Sequence, residues 1–506
     1  MALSILEFVW EEVRTMNCPN DNFKHIPKEK FAFVQKDQRL HDRELETKPI
    51  GFFKDAMLRF SRNKGAVVCA FIILILAIYA VLAPMVSQVG PGAKDAYYSY
   101  SLPKLSNSFD LGFWNGCSDE KLNQQTYDYY SNIPGAVAEV YEKTEEMVAN
   151  RRQKMYHISL DSYKKVGFVN MLLTASEYQA ALDYQEETGI QLMYPLVDEE
   201  QIVCPAYKQD PNAWFKTDQK GVAERNMAGE VMNIYLTDEN SPDGYAYYVL
   251  RQNGTQYEIR TLYYDWYVYQ NGFEPCFAFG ADEYGYDIFA RLGSGARLSL
   301  TLSITAALVN LLIGIIIGAL EGYYGGAFDL IFERIKDILW YVPTMVFMTL
   351  FQMYFSKSMG PLVAMFFGFI FFGWISSSST VRAQFYRYKG QEYVMAARTL
   401  GAKDGRLIFR HILPNAAGYI ITASVLTIPG TIFSEATYSY LGIVNLNSAT
   451  LTSVGAMLSN GQTALSTYPH CVFFPALFLS LLLICFNIFG NGLRDAFNPS
   501  LRGSEE

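Results

Sequence analysis

The sequence predicts an α-helical membrane protein of six spans, with a large α+β insert between the first and the second. Three observations carry this. Half of the 506 residues are hydrophobic and only 18% are charged, a composition poor in charge for a soluble protein. Six apolar runs approach or exceed the length needed to cross a bilayer: Gly65–Ala83, Ser299–Leu320, Ile338–Tyr354, Pro361–Ser377, Ala416–Phe433 and Val472–Phe489. Between the first two runs lies a polar, tyrosine-rich region with 30 acidic and 15 basic side chains from Met85 to Ala290.

Residues 1–64 form a polar tail. MALSILEFVWEEVR suits a short amphipathic helix, and GFFKDAMLRFSRNK (Gly51–Lys64) alternates aromatics with cations, as an interfacial helix on membrane lipid does. A plain basic flank to the first span reads equally well. No cleavable signal is expected, since the first run long enough to insert starts at Gly65.

Within 85–290, Ala136–Tyr156 and Ala175–Glu187 read as helices, the second stopped by Gly189. Val166–Leu173 and Gln191–Leu196 read as strands. Tyr245–Arg251 and Gln256–Tyr263 read as a hairpin turning at Asn253-Gly254, because Asn-Gly supplies the positive φ angles of a tight turn. Cys117, Cys204 and Cys276 leave room for one disulfide of underived pairing. The third span should kink at Pro343, and the fifth should be interrupted at Pro429-Gly430. Gly314 and Gly318 in the second span form a small-xxx-small pair that lets helices approach.

Several chemistries are excluded. No Gly-Lys dipeptide occurs, so there is no P-loop, and LSNGQ at Leu458–Gln462 stands alone, without nucleotide-binding elements around it. The scattered cysteines and five histidines argue against zinc. No basic, aromatic-interleaved patch suggests nucleic acid. No nucleophile–base pair stands out, so no catalytic residue is expected. Asn310, Glu435 and Asn487 lie in or near spans, where polar groups line a translocation path or bond neighbouring helices.

One polar stretch, QEYVMAARTLGAKDGRLIFRHILPN (Gln391–Asn415), separates the fourth and fifth apolar runs. Val394, Ala397, Leu400 and Gly401 fall on one helical face, and Ala396 and Ala397 keep that face thin. Gly401 offers a C-terminal stop. A second helical piece, Asp404–Ile412, should end at Pro414. Seven Lys/Arg against Glu392 and Asp404 between Val381 and Pro414, and none between Thr431 and Pro469, place this loop in the cytoplasm. Both termini are then cytoplasmic and 85–290 is extracellular.

This stretch resembles the coupling loop of ABC importer permeases, and its tail RHILPN is close to the oligopeptide/dipeptide branch. The segment FGADEYGYDIFARLGSGARLSL (Phe279–Leu300), the turn GYYGGAFD (Gly322–Asp329), SEATYSYLGI (Ser434–Ile443) and GNGLRDAFNPSLR (Gly490–Arg502) resemble further signatures of that branch. Departures are Met395 at the usual glutamate of the loop, Tyr286 at an arginine and Asn491 at an aspartate. The resemblance covers 51–90 and 270–502. It implies the type I importer permease fold, with a tail 1–64, a first span 65–83, a core 291–490 containing the coupling loop 388–414, and a tail 491–506. It implies that Glu392, Tyr393, Met395, Ala396, Ala397, Arg398, Gly401, Ala402, His411 and Pro414 couple to an ATPase. It also implies a second permease subunit, two ABC ATPase subunits carrying ATP and magnesium, and an extracellular peptide-binding protein. The chain itself needs no cofactor. A permease for nickel or a sugar, and a membrane sensor with an extracellular ligand domain, are the alternatives.

Overall fold

The computed structural model describes residues 52–105, 114–148, 151–448 and 451–497. The helix expected within the first 14 residues and the end of the C-terminal signature lie outside them.

Helix α1 (Phe52–Arg62) precedes α2 (Lys64–Val86), which Asn63 caps by accepting the Ala66 N–H at 3.2 Å. Helices α6 (Ile288–Tyr324), α9 (Pro361–Tyr388), α11 (Asp404–Tyr440) and α13 (His470–Phe497) are also long and apolar enough to cross a membrane. The expected third span is instead two helices, α7 (Gly326–Trp340) and α8 (Thr344–Met359), bent by 81° at the break. Pro343 caps α8 and lacks the N–H that would continue α7, so the chain turns where the kink was expected, and sharply enough to break the span. Five spans and one broken pair therefore stand for the six apolar runs.

Glycines set the spacing of the bundle. A Cβ on Gly318 would strike the Ser378 carbonyl, one on Gly314 would meet the Ser378 nitrogen at 2.8 Å, and one on Gly322 the Phe385 Cβ at 2.5 Å. These glycines recur every four residues along one side of α6, so α9 lies directly on its backbone. Beside this seam sits an ion-pair cluster. Lys336 Nζ bonds Glu321 at 2.8 Å with both side chains buried, and it also pairs with Glu333. Arg382 grips Asp329 with two bonds, at 2.5 and 2.8 Å, and the Tyr386 hydroxyl donates to the same carboxylate at 2.7 Å.

The insert between α2 and α6 holds two antiparallel three-stranded sheets. One has the order β1 (Cys117–Asn123), β3 (Arg151–Asp161), β2 (Val137–Val148). The other has β4 (Phe168–Thr174), β6 (Gln256–Leu262), β5 (Tyr248–Arg251). Helices α3 (Gln124–Ser131), α4 (Ala175–Thr188) and α5 (Tyr263–Asn271) pack on them. Helix α4 has a full capping box from Thr174 and Glu177 and ends on Gly189 at φ +71°, as its sequence suggests.

Two local expectations fail here. Ala136–Tyr156 is not a helix but supplies β2 and the start of β3: Tyr156, Ile158 and Leu160 gather with Leu122, Ile133 and Ala136 in a buried cluster. Pairing with the next strand overrides the helix preference of its Glu, Lys and Ala residues. Gln191–Leu196 is extended but joins no sheet along its length. Tyr194 bridges Arg260, and Pro195, with no N–H, prevents a continuous ladder. The hairpin expected around Asn253-Gly254 does form, between β5 and β6, its four-residue turn 252–255 taking positive φ at Gln252 and Gly254. The six described cysteines are all unbonded, Cys117, Cys204 and Cys276 among them.

The insert joins the bundle at Asp287, which caps α6 and accepts the Ser87 hydroxyl at 2.6 Å from the end of α2. A Cβ on Gly285 nearby, at φ +79°, would collide with the Asp95 carbonyl. Asp287 is 3% exposed. Burial pushes its carboxyl up to about 6, offset in part by bonds from Ser87 and from the Phe289 and Ala290 N–H groups. The folded protein thus holds this proton more tightly than the unfolded chain does. Its contribution to stability is greatest below the ordinary carboxylate range, declines as pH rises to about 6 and then levels off. Asp95, Asp265 and Asp282 are shifted the same way by burial. The thermal midpoint of the purified protein should therefore be higher at pH 5 than at pH 7. Asp287→Asn, which keeps the cap, should flatten this slope by up to about 1.4 kcal/mol per pH unit; an unchanged slope would show that Asp287 does not carry it.

Candidate functional site

The loop between α9 and α11 is built as a packed base with a bare tip. Helix α10 (Glu392–Thr399) starts after Gln391 and buries Val394 completely. Val394 joins Tyr323 of α6, Val381 and Phe385 of α9, and Leu407, Ile408 and Ile412 of α11, with Ala397 and Ala402 partly buried against them. Gly401 takes φ +84° and reverses the chain, its N–H bonding the Arg398 carbonyl at 3.0 Å.

Polar ties fix this base to the bundle. The Tyr323 hydroxyl donates to Asp404 at 2.6 Å and accepts from Arg398 at 3.2 Å. Lys389 Nζ donates to the Gly322 carbonyl at 2.8 Å. The loop therefore cannot move without pulling on the ends of α6 and α9. Tyr323 and Lys389 escaped the sequence reading. Their signal is weak, a tyrosine pair after an apolar run and one cation among seven.

The tip differs from expectation in one respect. Leu400 is not on the packed face with Val394 and Ala397; it is 89% exposed. Six residues at about 100° each carry Leu400 about 120° around the helix from Val394, so it clears the packed face although its N–H still makes the helical bond to the Ala396 carbonyl at 3.1 Å. Met395 is 52% exposed, and Ala396 and Glu392 are also exposed, with Tyr393 and Arg398 flanking them. Met395, Ala396 and Leu400 thus form an apolar surface that nothing within the described residues covers. Apolar surface of this kind on a tethered, polar loop suits contact with another protein.

Pro414 is also placed unexpectedly. It does not end the second helical piece. It lies inside α11, next to a π-helical turn at Leu407–Ile412, where the Leu413 N–H bonds the Ile408 carbonyl five residues back. The wide turn makes room for the proline ring and removes the need for its missing N–H. His411 is half-buried in that turn and Pro414 is exposed. Pro429-Gly430 likewise leaves α11 continuous; a turn residue, Leu426, lies three residues earlier, and its N–H still bonds the Thr422 carbonyl at 3.3 Å. SEATYSYLGI consequently begins within the helix and not after it, and LSNGQ closes the short helix α12 (Val454–Gln462).

The three intramembrane polar residues have separate surroundings. Asn310 is buried between α6 and α9 against Gly373, its amide 3.4 Å from the Phe369 carbonyl. Glu435 is fully buried and accepts from Ser299 at 2.6 Å and Ser439 at 3.0 Å. Asn487 is exposed and bonds only its own helix, at Leu483.

Comparison with known proteins agrees with this architecture. The family described as binding-protein-dependent transport system inner membrane component matches residues 310–503, and the N-terminal TM domain of oligopeptide transport permease C matches 51–103. The oligopeptide transport system permease protein OppC of Bacillus subtilis (strain 168) is 45% identical over 224 residues, 44% of this chain and 72% of that protein. The dipeptide transport system permease protein DppC of the same organism is 40% identical over 225 residues, 44% of this chain and 69% of that protein. OppC of Escherichia coli (strain K12) is 38% identical over 224 residues, 44% of this chain and 72% of that protein. A multi-pass helical bundle with a tethered polar loop, matched at this level over most of its relatives' length, belongs to the permease subunits of ABC transporters, in the branch that includes the oligopeptide and dipeptide permeases.

Proposed function

We propose that the chain is one of two membrane subunits of an ATP-driven importer for peptides, and that α10 with its exposed tip couples ATPase motion to alternating access. The observation that carries this reading is the contrast within one short loop: Val394 wholly buried, Leu400 almost wholly exposed. A base locked to α6 and α9 transmits force, and an uncovered apolar tip receives it. Glu392, Tyr393, Met395, Ala396, Arg398 and Gly401 form or shape the tip; Ala397 and Ala402 seat it; His411 and Pro414 set the turn into α11. ATP closing the partner ATPases can drive the bundle only if the tip binds them with different affinity in the two states.

The cations of the loop support a cytoplasmic position for it, with the insert on the outer face. A second permease, two ATPases holding ATP and magnesium, and an outer peptide-binding protein complete the assembly. The names of the relatives, oligopeptide and dipeptide permeases, supply the substrate class.

Purification from membranes tests this. The parent chain should bring ATPase chains with it, and vesicles holding the complex should take up labelled oligopeptides in preference to nickel or sugars. Leu400→Asp should lower ATPase recovery at least tenfold while the chain itself stays in the membrane. Full recovery with Leu400→Asp would remove the tip from the coupling surface. Protease added to whole cells should cut the insert and spare the loop.

A further inference from the structure

Helix α9 has two faces of different character. One lies on α6, as described. On another, Ser376, Ser379, Thr380 and Ala383 follow one another at helical spacing and border a cavity of about 530 Å³ between α7, α9 and α11. That size falls within the range of roughly 300–1,000 Å³ typical of ligand pockets. Trp340 and Tyr419 supply aromatic walls. Among the described residues, the Ser376 and Ser379 hydroxyls have no protein partner. A run of free hydroxyls on a membrane helix does not suit lipid, where no donor or acceptor is available to them.

A second observation points to a ligand. Gln384 lines the same cavity, is only 8% exposed, and its Oε1 has no donor. A buried acceptor left without a partner is costly, and in a membrane more so. The charged groups at the cavity's edge are already engaged: Lys336 pairs with Glu321 and Glu333, and Asp337 with Arg334 at 2.9 Å. What the wall offers is neutral hydrogen bonding beside aromatic surface.

We propose that this cavity is the part of the solute path in this subunit that contacts the main chain of an extended peptide. Gln384 turns its amide toward the cavity to accept a peptide N–H, the free Ser376 and Ser379 hydroxyls exchange bonds with successive N–H and C=O groups, the Thr380 hydroxyl, which already donates to the Ser376 carbonyl at 3.0 Å, accepts from a further N–H, and the rings of Trp340 and Tyr419 cover apolar side chains. This rests on the reading of the chain as a peptide permease. Main-chain groups are common to all peptides, so such a wall admits many sequences. Several weak neutral bonds also let the solute leave, which a fixed charge would hinder.

The test uses the whole complex, with its ATPases and binding protein, in vesicles. Ser376→Cys and Ser379→Cys are treated with a charged, membrane-impermeant thiol reagent, and modification is read by mass on the fragment carrying each position. Both should react, and a saturating oligopeptide such as hexa-alanine should slow the reaction at least fivefold. Ile316→Cys, on an exposed face of α6, should show no such protection. Gln384→Leu should raise the KM of peptide uptake about five- to tenfold. Cysteines that never react would mean another helix covers the cavity, and reaction indifferent to peptide would mean solute does not pass it; either overturns the proposal. Uptake by the parent complex in the same vesicles separates the two readings. Uptake without protection sinks only the cavity, whereas absence of peptide uptake sinks the function and the cavity with it.

Discussion

Gly401→Pro should abolish uptake, by a hundredfold or more, while the protein still inserts. Gly401 sits at φ +84°, and proline is locked near −65°. The substitution also deletes the N–H that bonds Arg398 and constrains Leu400 before it. The tip would therefore swing away from the base that Val394 anchors. The spans are untouched, so membrane insertion should be normal. No atom lies within 4 Å of a Cβ placed on Gly401, so Gly401→Ala isolates the backbone effect. It should cost about 1–2 kcal/mol locally and reduce uptake only in part. Paired measurements of ATP hydrolysis and peptide uptake in vesicles decide the matter. Normal uptake with Gly401→Pro would show that the bend is not part of the coupling.

Lys336→Met should be the most destabilising single change in the bundle. It leaves Glu321 charged and buried at the α6–α9 seam, where one carboxylate oxygen already lacks a donor. Breaking one side of such a pair costs roughly 3–5 kcal/mol, because the remaining charge has no compensation. Ser378 donates to the same carboxylate at 3.2 Å and cannot replace a cation. The expected result is loss of the folded peak on size exclusion in detergent. The double variant Glu321→Gln with Lys336→Met should recover most of it, since two neutral groups of similar size carry no such penalty. Equal yields for the single and double variants would mean that the pair does not hold α7 in place.

Much of the bundle was legible because its signals are local. A glycine pair four residues apart in an apolar run describes close helix packing by itself, and Gly314 and Gly318 do pack so, with Gly322, read as part of a turn, joining them in the helix. Gly401 could be read the same way, since a positive φ is the simplest use for a glycine after a helical run. What failed depended on geometry that residue preferences alone do not carry. The residues 137–148 favour a helix until Tyr156, Ile158 and Leu160 offer a ladder. Pro414 signals a stop unless the turn before it is wide, and nothing in LIFRHI announces a π turn. Leu400 lies six residues after Val394, about 120° around the helix, which takes it off the buried face. Gln384, the polar residue with the most to explain, is invisible in sequence because burial is what sets it apart.

The π turn has a geometric effect on the whole fifth span. Ile408, Ile412, Ala416 and Ile420 are all buried, each four residues after the last. At about 100° per residue, such a series would creep around a regular helix by about 40° a step. The wide turn under-rotates the chain once and takes up part of that creep, so one inward-looking row runs from the loop into the bundle. Removing a single residue there would leave every other side chain present yet turn the far end of the span like a mis-set key, with its sealing row aimed at the wrong neighbour.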